Sequence, residues 1–347
     1  MAGVASAAVG GAVRRSATGA VAAGLRRLVA LDMDGTTLNS RHALTPRTVE
    51  TIHRAMAAGV QARLPRARRK TWVKTATPLP HPSWARPPSS SSAPQVVIAS
   101  GRPALSLQPY IEQLALPGEV PAVCFNGACA MMMGKPEPRI LFSESLSLDA
   151  AQQVLAFCRR VGWCASYCRA SGPACAAPET PEQEGLLSRF ESLEGTKQVR
   201  VADLGEVLTS GELPLKIVAM VDDPEAAAAS AKEALPSDLV HIIAAEMHVE
   251  FLNPSVNKGR SLARLCNDVV RVPLAEVVAY GDNHNDVEML RLVGDGVAMA
   301  NAKDAVKSAA DRECRWSNDE EGVANDINAL LDAGVFSTGA VGDGSRL

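Results

Sequence analysis

Aromatic side chains are scarce in this sequence, at 4%, and no run of eighteen apolar residues interrupts it. The first shortage leaves few rings for bases to stack on, which argues against a single-stranded nucleic-acid surface. The second leaves no candidate for a membrane-spanning helix. Eight cysteines are present, yet no CxxC pair occurs, so the usual zinc spacings are missing. Their scatter over 347 residues also does not suit a secreted disulfide framework, and they read as reduced, structural thiols. Acid is absent from two segments: residues 1–31 hold four Arg, and residues 61–94 hold seven Lys or Arg. The net charge of −3 therefore hides two basic segments on a strongly acidic remainder.

What is present is enough for a buried core. Apolar residues make up 47% and charged ones 21%, and the length has room for two domains. Residues 1–24, rich in Ala, Gly, Ser and Val with Arg and no acid, read either as a transit peptide or as a disordered tail. The first reading implies a mitochondrial or plastid protein, the second a cytoplasmic one. Residues 61–94 are basic, rich in Pro and Ser, and without period. They read as a disordered insertion or as translated intron, because helices and strands of α/β units are usually joined by two to six residues. The segment has no nucleic-acid motif or aromatic spacing, so no nucleic-acid partner is expected. Residues 339–347 read as a disordered tail.

Between these segments, short apolar runs alternate with helical patterns. Strands are expected at 28–31, 96–99, 122–125, 215–221, 249–252, 277–280 and 297–299. Thr45-Pro46 opens a helix by a hydroxyl cap and a proline at the first helical position, and Gly59 is placed to end it. Val60 then reads as the start of the strand that resumes at Val96. Further helices are expected at 149–161, 224–234, 258–268, 286–292, 302–310 and 322–332. The stretch 169–195, rich in Pro, Gly and Glu, reads as a mobile loop. Such alternation predicts an α/β fold with a Rossmann-like parallel sheet.

Four short segments stand out, three of them at strand ends, where a parallel sheet binds ligands, and one opening a helix. They are Asp32-Met33-Asp34-Gly35-Thr36, Ser100-Gly101-Arg102, Asn257-Lys258-Gly259 and Gly281-Asp282-Asn283-His284-Asn285-Asp286. Phosphoryl transfer needs a nucleophile, cationic charge against the phosphoryl oxygens, and a proton for the leaving group. Asp32 and Asp34 can supply nucleophile and general acid/base from one loop. Asp282 and Asp286 suit a hard, octahedral Mg²⁺, and acids so close repel without a cation. Lys258 adds a point charge, while the Ser100 hydroxyl and loop N–H groups, Gly101 among them, can donate to phosphate.

Taken in order, the four segments resemble the four signature motifs of the haloacid dehalogenase superfamily. The wider pattern resembles its Cof-type phosphatases, which carry a large α/β cap inserted after the third core strand. Phe125-Asn126-Gly127-Ala128 and Glu250-Phe251-Leu252-Asn253-Pro254 add to that likeness. The resemblance implies a core at 25–128 and 254–338 with a cap at 129–253. It implies that Asp32 becomes a phosphoaspartate and ligates Mg²⁺, which Asp282 and the Asp34 carbonyl also bind. It further implies that Asp34 protonates the leaving group and then activates water, and that Ser100 and Lys258 hold the phosphoryl group, with Asn126 near it. Asn285 and Asp286 would support the metal and Lys258. Asn283 stands where the family usually has glycine, and asparagine tolerates left-handed backbone.

The expected activity is thus Mg²⁺-dependent hydrolysis of a small phosphate monoester, a sugar phosphate or a phosphorylated cofactor. Two alternatives stay open: a phosphomutase on the same scaffold, and a catalytically silent metal- or phosphate-binding regulator. The expected partner is a small phosphorylated metabolite, with no nucleic acid and no membrane; oligomeric state is left open. Glu250 reads equally as a substrate contact or an exposed strand carboxylate, and His248 and His284 read as surface residues.

Overall fold

The computed structural model describes residues 26–60, 95–134, 138–209, 211–245 and 247–336. The segments 1–24, 61–94 and 339–347 lie outside the described residues. In chain order the strands are β1 (Leu28–Leu31), β2 (Gln95–Ala99), β3 (Val120–Cys124), β4 (Cys129–Met133), β5 (Arg139–Ser143), β6 (Cys164–Arg169) and β7 (Gly172–Ala176). They continue with β8 (Val199–Val201), β9 (Lys216–Met220), β10 (His241–Ala244), β11 (His248–Leu252), β12 (Val277–Gly281), β13 (Asp295–Ala298) and β14 (Arg312–Glu313). The α-helices are α1 (Pro46–Val60), α2 (Ala104–Leu114), α3 (Leu148–Val161), α4 (Pro181–Glu194) and α5 (Leu204–Thr209). After them come α6 (Pro224–Ala234), α7 (Lys258–Leu265), α8 (Val287–Leu292), α9 (Asp304–Lys307) and α10 (Gly322–Asp332).

Two sheets result. One runs β14-β13-β12-β1-β2-β3-β4-β5 and the other β10-β11-β9-β6-β7-β8. In the first, every pair from β14 to β3 is parallel, as the strand–helix alternation predicts. Its central strands are apolar throughout because helices cover both faces. With β1, β2 and β3 stepping one way across the sheet and β12 and β13 the other, the right-handed rule for parallel crossovers puts α1 and α2 on one face and α8 on the other. Helix α10 packs on α1, and α7 on α8. The second sheet is mainly antiparallel, with only β7 and β8 parallel. A separate apolar cluster, built on Val154, Tyr167, Ile217, Ala228 and Phe251, joins this sheet to α3, α5 and α6.

Several expectations need correction. Residues 129–143, assigned above to the inserted domain, extend the first sheet instead. Residues 125–128 turn the chain sharply, so Cys129 lies opposite Cys124 and β4 pairs antiparallel with β3. The mobile loop expected at 169–195 is ordered as β7 and α4. There the Thr180 hydroxyl accepts from the Gln183 N–H and Pro181 occupies the first turn, a start signal obscured by the surrounding Pro and Gly. Leu186, Leu187 and Phe190 then bury one face of that helix. Helix α1 runs through Gly59 to Val60, so Val60 does not begin a strand. Helix α9 is shorter than the span 302–310.

Candidate active site

The register of the first sheet brings the sequence motifs together. Leu31 pairs with Ile98 on one side and Tyr280 on the other. Asp32, Ser100 and Asp282 therefore leave adjacent strands at the same, carboxyl end, where open α/β sheets bind ligands. Asn126 follows β3 at that end, and α7 starts there with Lys258 after the capping Asn257, whose side chain accepts from the Arg260 N–H. After Asp32 the chain makes a wide turn over Met33–Thr37, with non-helical backbone at Asp34 and Gly35, closed by the Leu38 N–H on the Met33 carbonyl. Gly35 has φ +73° in that turn, and a Cβ there would run into the Asp282 carboxylate. This is why the motif carries glycine at that position.

Lys258 is the hub. Its Nζ donates to Asp32 Oδ1 at 2.7 Å and to Asp286 Oδ1 at 2.8 Å. All three side chains are almost wholly buried. The other Asp286 oxygen accepts the backbone N–H groups of Asp282 and Asn283, each at 3.1 Å. Thr36 donates to Asp282 Oδ1 at 2.8 Å. Carboxylate oxygens of Asp32, Asp282 and Asp286 all lie within 4.8 Å of one another. Burial, and then the neighbouring Asp286, push Asp32 well above the usual carboxylate range, although Lys258 opposes them. The same two causes raise Asp282 to about 6. Burial works against the charge on Lys258, but Asp286 and Asp32 outweigh it and hold the ammonium more firmly protonated than usual.

Asp34 is treated differently by its surroundings. Arg102 donates from Nε to Oδ2 at 2.7 Å and from Nη2 to Oδ1 at 2.6 Å, and His42 Nδ1 lies 3.0 Å from Oδ1. Partial burial would raise this carboxyl, yet Arg102 and then His42 hold it below its ordinary value. Two aspartates two residues apart thus have opposed tendencies, Asp32 toward the protonated form and Asp34 toward the charged one.

Ser100 is buried, and its Oγ accepts the N–H of Arg102 at 3.1 Å. Asn126 sits over the Ser100–Gly101 turn, and its Oδ1 accepts from Asn285 Nδ2 at 2.8 Å. Every residue named from the sequence as a site candidate is therefore found around the strand ends of one sheet. Sequence reasoning gave no role to Arg102, His42 or Thr36, although Arg102 and Thr36 stand inside the quoted motifs. It also missed Lys216, whose signal was a lone charge in the apolar run 215–221. Glu250 is not an exposed carboxylate, and His248 is not a surface residue: both are buried. His284 is exposed, as expected.

A parallel-sheet core with acids and a buried lysine gathered at its strand ends points to a hydrolase of phosphate esters. The chain belongs to the haloacid dehalogenase-like hydrolases, whose family model matches residues 29–76 and 91–327. Among curated relatives, the phosphatase YwpJ of Bacillus subtilis is 25% identical, over 88% of this chain and 100% of that protein. The 5-amino-6-(5-phospho-D-ribitylamino)uracil phosphatase YitU of Bacillus subtilis is 29% identical, over 86% of this chain and 94% of its own length. The pyridoxal phosphate phosphatase YbhA of Escherichia coli is 26% identical, over 82% and 91%. A haloacid dehalogenase-like hydrolase from Bacteroides thetaiotaomicron shares the fold at a TM-score of 0.67, with 21% identity over 88% of this chain and 99% of that one. The chain is a phosphoric monoester hydrolase of this family, with the Cof-type pattern read from its motifs.

Proposed function

We propose that the protein hydrolyses small phosphate monoesters, such as a sugar phosphate or a phosphorylated cofactor, through a phosphoaspartyl intermediate on Asp32 and with Mg²⁺ as cofactor. The observation that carries this reading is the buried Lys258 between Asp32 and Asp286. It places one buried ammonium against the carboxylate that ends β1, within a cluster of three acids. The relatives named above as phosphatases of phosphorylated metabolites support the substrate class.

The donors present fit Mg²⁺. They are all oxygens, as a hard cation requires, with no thiolate or imidazole in the group. Both oxygens of Asp286 are already bonded, one to Lys258 and one to two backbone N–H groups. That leaves Asp32 and Asp282 of this group to hold the ion, with Asp286 and Asn285 behind them, and the family resemblance adds the Asp34 carbonyl. A bound cation there would offset the charges that raise Asp32 and Asp282 and would favour an ionised Asp32 beside an anionic phosphate.

The chain's own residues divide the remaining work. The Ser100 hydroxyl, the Gly101 N–H and Lys258 bind the phosphoryl oxygens, with Asn126 at the rim. Asp32 forms the new O–P bond as the ester O–P bond breaks, and Asp34 gives its proton to the departing oxygen. Asp34 then takes a proton from the water that attacks the phosphoaspartate, releasing orthophosphate and restoring Asp32. Arg102 orients Asp34 and stabilises the carboxylate left after the first transfer, which then takes the proton from water and is ready for the next turnover.

A panel of phosphorylated metabolites incubated with Mg²⁺, read as released orthophosphate, tests the proposal. At least one sugar phosphate or phosphorylated cofactor should be hydrolysed, and exhaustive chelation with EDTA should abolish the release until Mg²⁺ is restored. Conversion of a sugar phosphate to its positional isomer, with no orthophosphate released, would replace this reading with a phosphomutase.

A further inference from the structure

Two charged side chains of the second sheet lie buried against the strand-end loops of the first. Lys216 on β9 is 1% exposed and Glu250 on β11 is 4% exposed. They bond each other, Nζ to Oε1. Removing both charges from water is costly, and such a pair seldom adds net stability over an apolar one. Its bonds therefore carry the interest, and they lead into the phosphate-binding loops.

Lys216 Nζ also donates to the carbonyl of Gly101 at 3.2 Å and lies 6.0 Å from the centre of the Phe125 ring. The second Glu250 oxygen, Oε2, accepts from Asn126 Nδ2. Oε1 also meets His248 Nε2 at 3.3 Å. Burial would raise the Glu250 carboxyl, but Lys216 and His248 outweigh it and bring it down to about 2, so it is charged. Its oxygens are thus taken by protein groups.

The loop it touches is unusual. Phe125 and Asn126 both have positive φ, +53° and +56°, a conformation that asparagine tolerates but that is rare for a bulky residue such as phenylalanine. The N–H of Phe125 is tied to the Arg102 carbonyl and that of Asn126 to the Ser100 carbonyl, each at 3.1 Å. A Cβ on Gly101 would stand 2.9 Å from Asn126 Oδ1, so the turn passes directly beneath this amide. With Nδ2 held by Glu250 and Oδ1 by Asn285, the amide cannot flip. A bonded chain runs Lys216, Glu250, Asn126, Asn285, from the inserted sheet to the loop that carries Asp282 and Asp286.

We propose that Lys216 and Glu250 are a positioning pair that sets the Ser100–Gly101 turn and the Asn126 amide, and so the place where the phosphoryl group is held. The proposal rests on the phosphatase reading above. An apolar pair would fill the same space but could neither fix an amide nor hold a carbonyl.

The test is the double variant Lys216→Met/Glu250→Leu, which leaves no uncompensated charge, with Glu250→Gln alongside because it keeps the side-chain volume. Rates on p-nitrophenyl phosphate and on a sugar phosphate hydrolysed by the wild type are compared, together with inhibition by inorganic phosphate and the thermal midpoint. Both variants should slow roughly 10- to 100-fold, the scale of a misplaced binding group, by the same factor on both esters, with weaker phosphate inhibition. A stable double variant with wild-type rates would show that the pair only fills space, and overturns the proposal. Losses that differ more than about tenfold between the esters would place the pair on the leaving group and overturn it equally. A wild-type protein that releases no phosphate from any ester overturns the phosphatase reading and this inference with it, a result distinct from an active wild type with an equally active variant.

Discussion

The guanidinium of Arg102 grips both carboxylate oxygens of Asp34, at 2.7 and 2.6 Å. A fork of this kind fixes orientation as well as charge. It holds Asp34 in the form that accepts a proton, whereas Asp32, beside Asp286 and Asp282, is pressed the other way. These tendencies suit Asp34 to taking a proton from water, while Asp32 needs a cation beside it to act as a charged nucleophile.

If Asp34 protonates the leaving oxygen, its loss should depend on the leaving group. Asp34→Asn is expected to slow hydrolysis of an alkyl phosphate by about 10²- to 10⁴-fold, the usual worth of general acid–base catalysis. p-Nitrophenyl phosphate, whose leaving group needs no proton, should lose less. Equal losses on the two esters would remove Asp34 from that role.

Asp32→Asn should leave a folded protein, because Lys258 keeps its bond to Asp286. An amide is a poor nucleophile, and uncatalysed phosphate-monoester hydrolysis is so slow that no other group can cover for it. Orthophosphate release should fall at least about a thousandfold. A variant retaining a tenth of the wild-type rate would rule out the covalent route.

Lys258→Met removes the cation that bonds both Asp32 and Asp286. Breaking a buried ion pair from one side typically costs about 3–5 kcal/mol. The thermal midpoint in EDTA should drop clearly, activity should vanish, and Mg²⁺ should recover part of the midpoint by taking over the charge compensation. Calorimetry of the variant with and without Mg²⁺ checks this; an unchanged midpoint in EDTA would contradict it.

Glu250 should make the wild type unusually sensitive to acid. Its folded carboxyl is depressed from 4.5 to about 2. A depressed carboxyl contributes stability that is fully present above the unfolded value and is lost as pH falls toward the folded one, here between about pH 5 and pH 2. The shift corresponds to something of order 3 kcal/mol. Unfolding free energies of the wild type should therefore fall more steeply over that window than those of Lys216→Met/Glu250→Leu. Parallel curves would mean that Glu250 is not held charged by its partners.

Deleting 61–94 is expected to preserve both fold and rate. The family match breaks at 77–90, inside that segment, and resumes before β2. Thermal midpoint and phosphate release of the deletion variant should equal those of the full chain within error. A variant that folds but loses activity would give the segment a part in the working site.

Several features of this protein could be read from local pattern alone. Strand β1 matches the expected run 28–31, and helices α6 and α10 match 224–234 and 322–332, because cap, proline and apolar spacing act within a few residues. The motif residues Asp32, Ser100, Lys258 and Asp282 were legible for the same reason: each stands at a strand end or helix start, and a parallel sheet must gather such ends. Residues 129–143 were misassigned because a strand does not announce its partner; pairing with β3 is decided by a four-residue turn. Helix α4 was hidden by its composition, and only its contact with the second sheet makes its apolar face worth burying. The sequence alone determined which groups carry charge and which loops present them. Tertiary structure decided what each charge faces: Arg102 on Asp34, Lys258 between Asp32 and Asp286, and Lys216 on Glu250, pairs separated by 28 to 226 residues. Electrostatic energy depends on distance through space and on burial, neither of which sequence spacing contains.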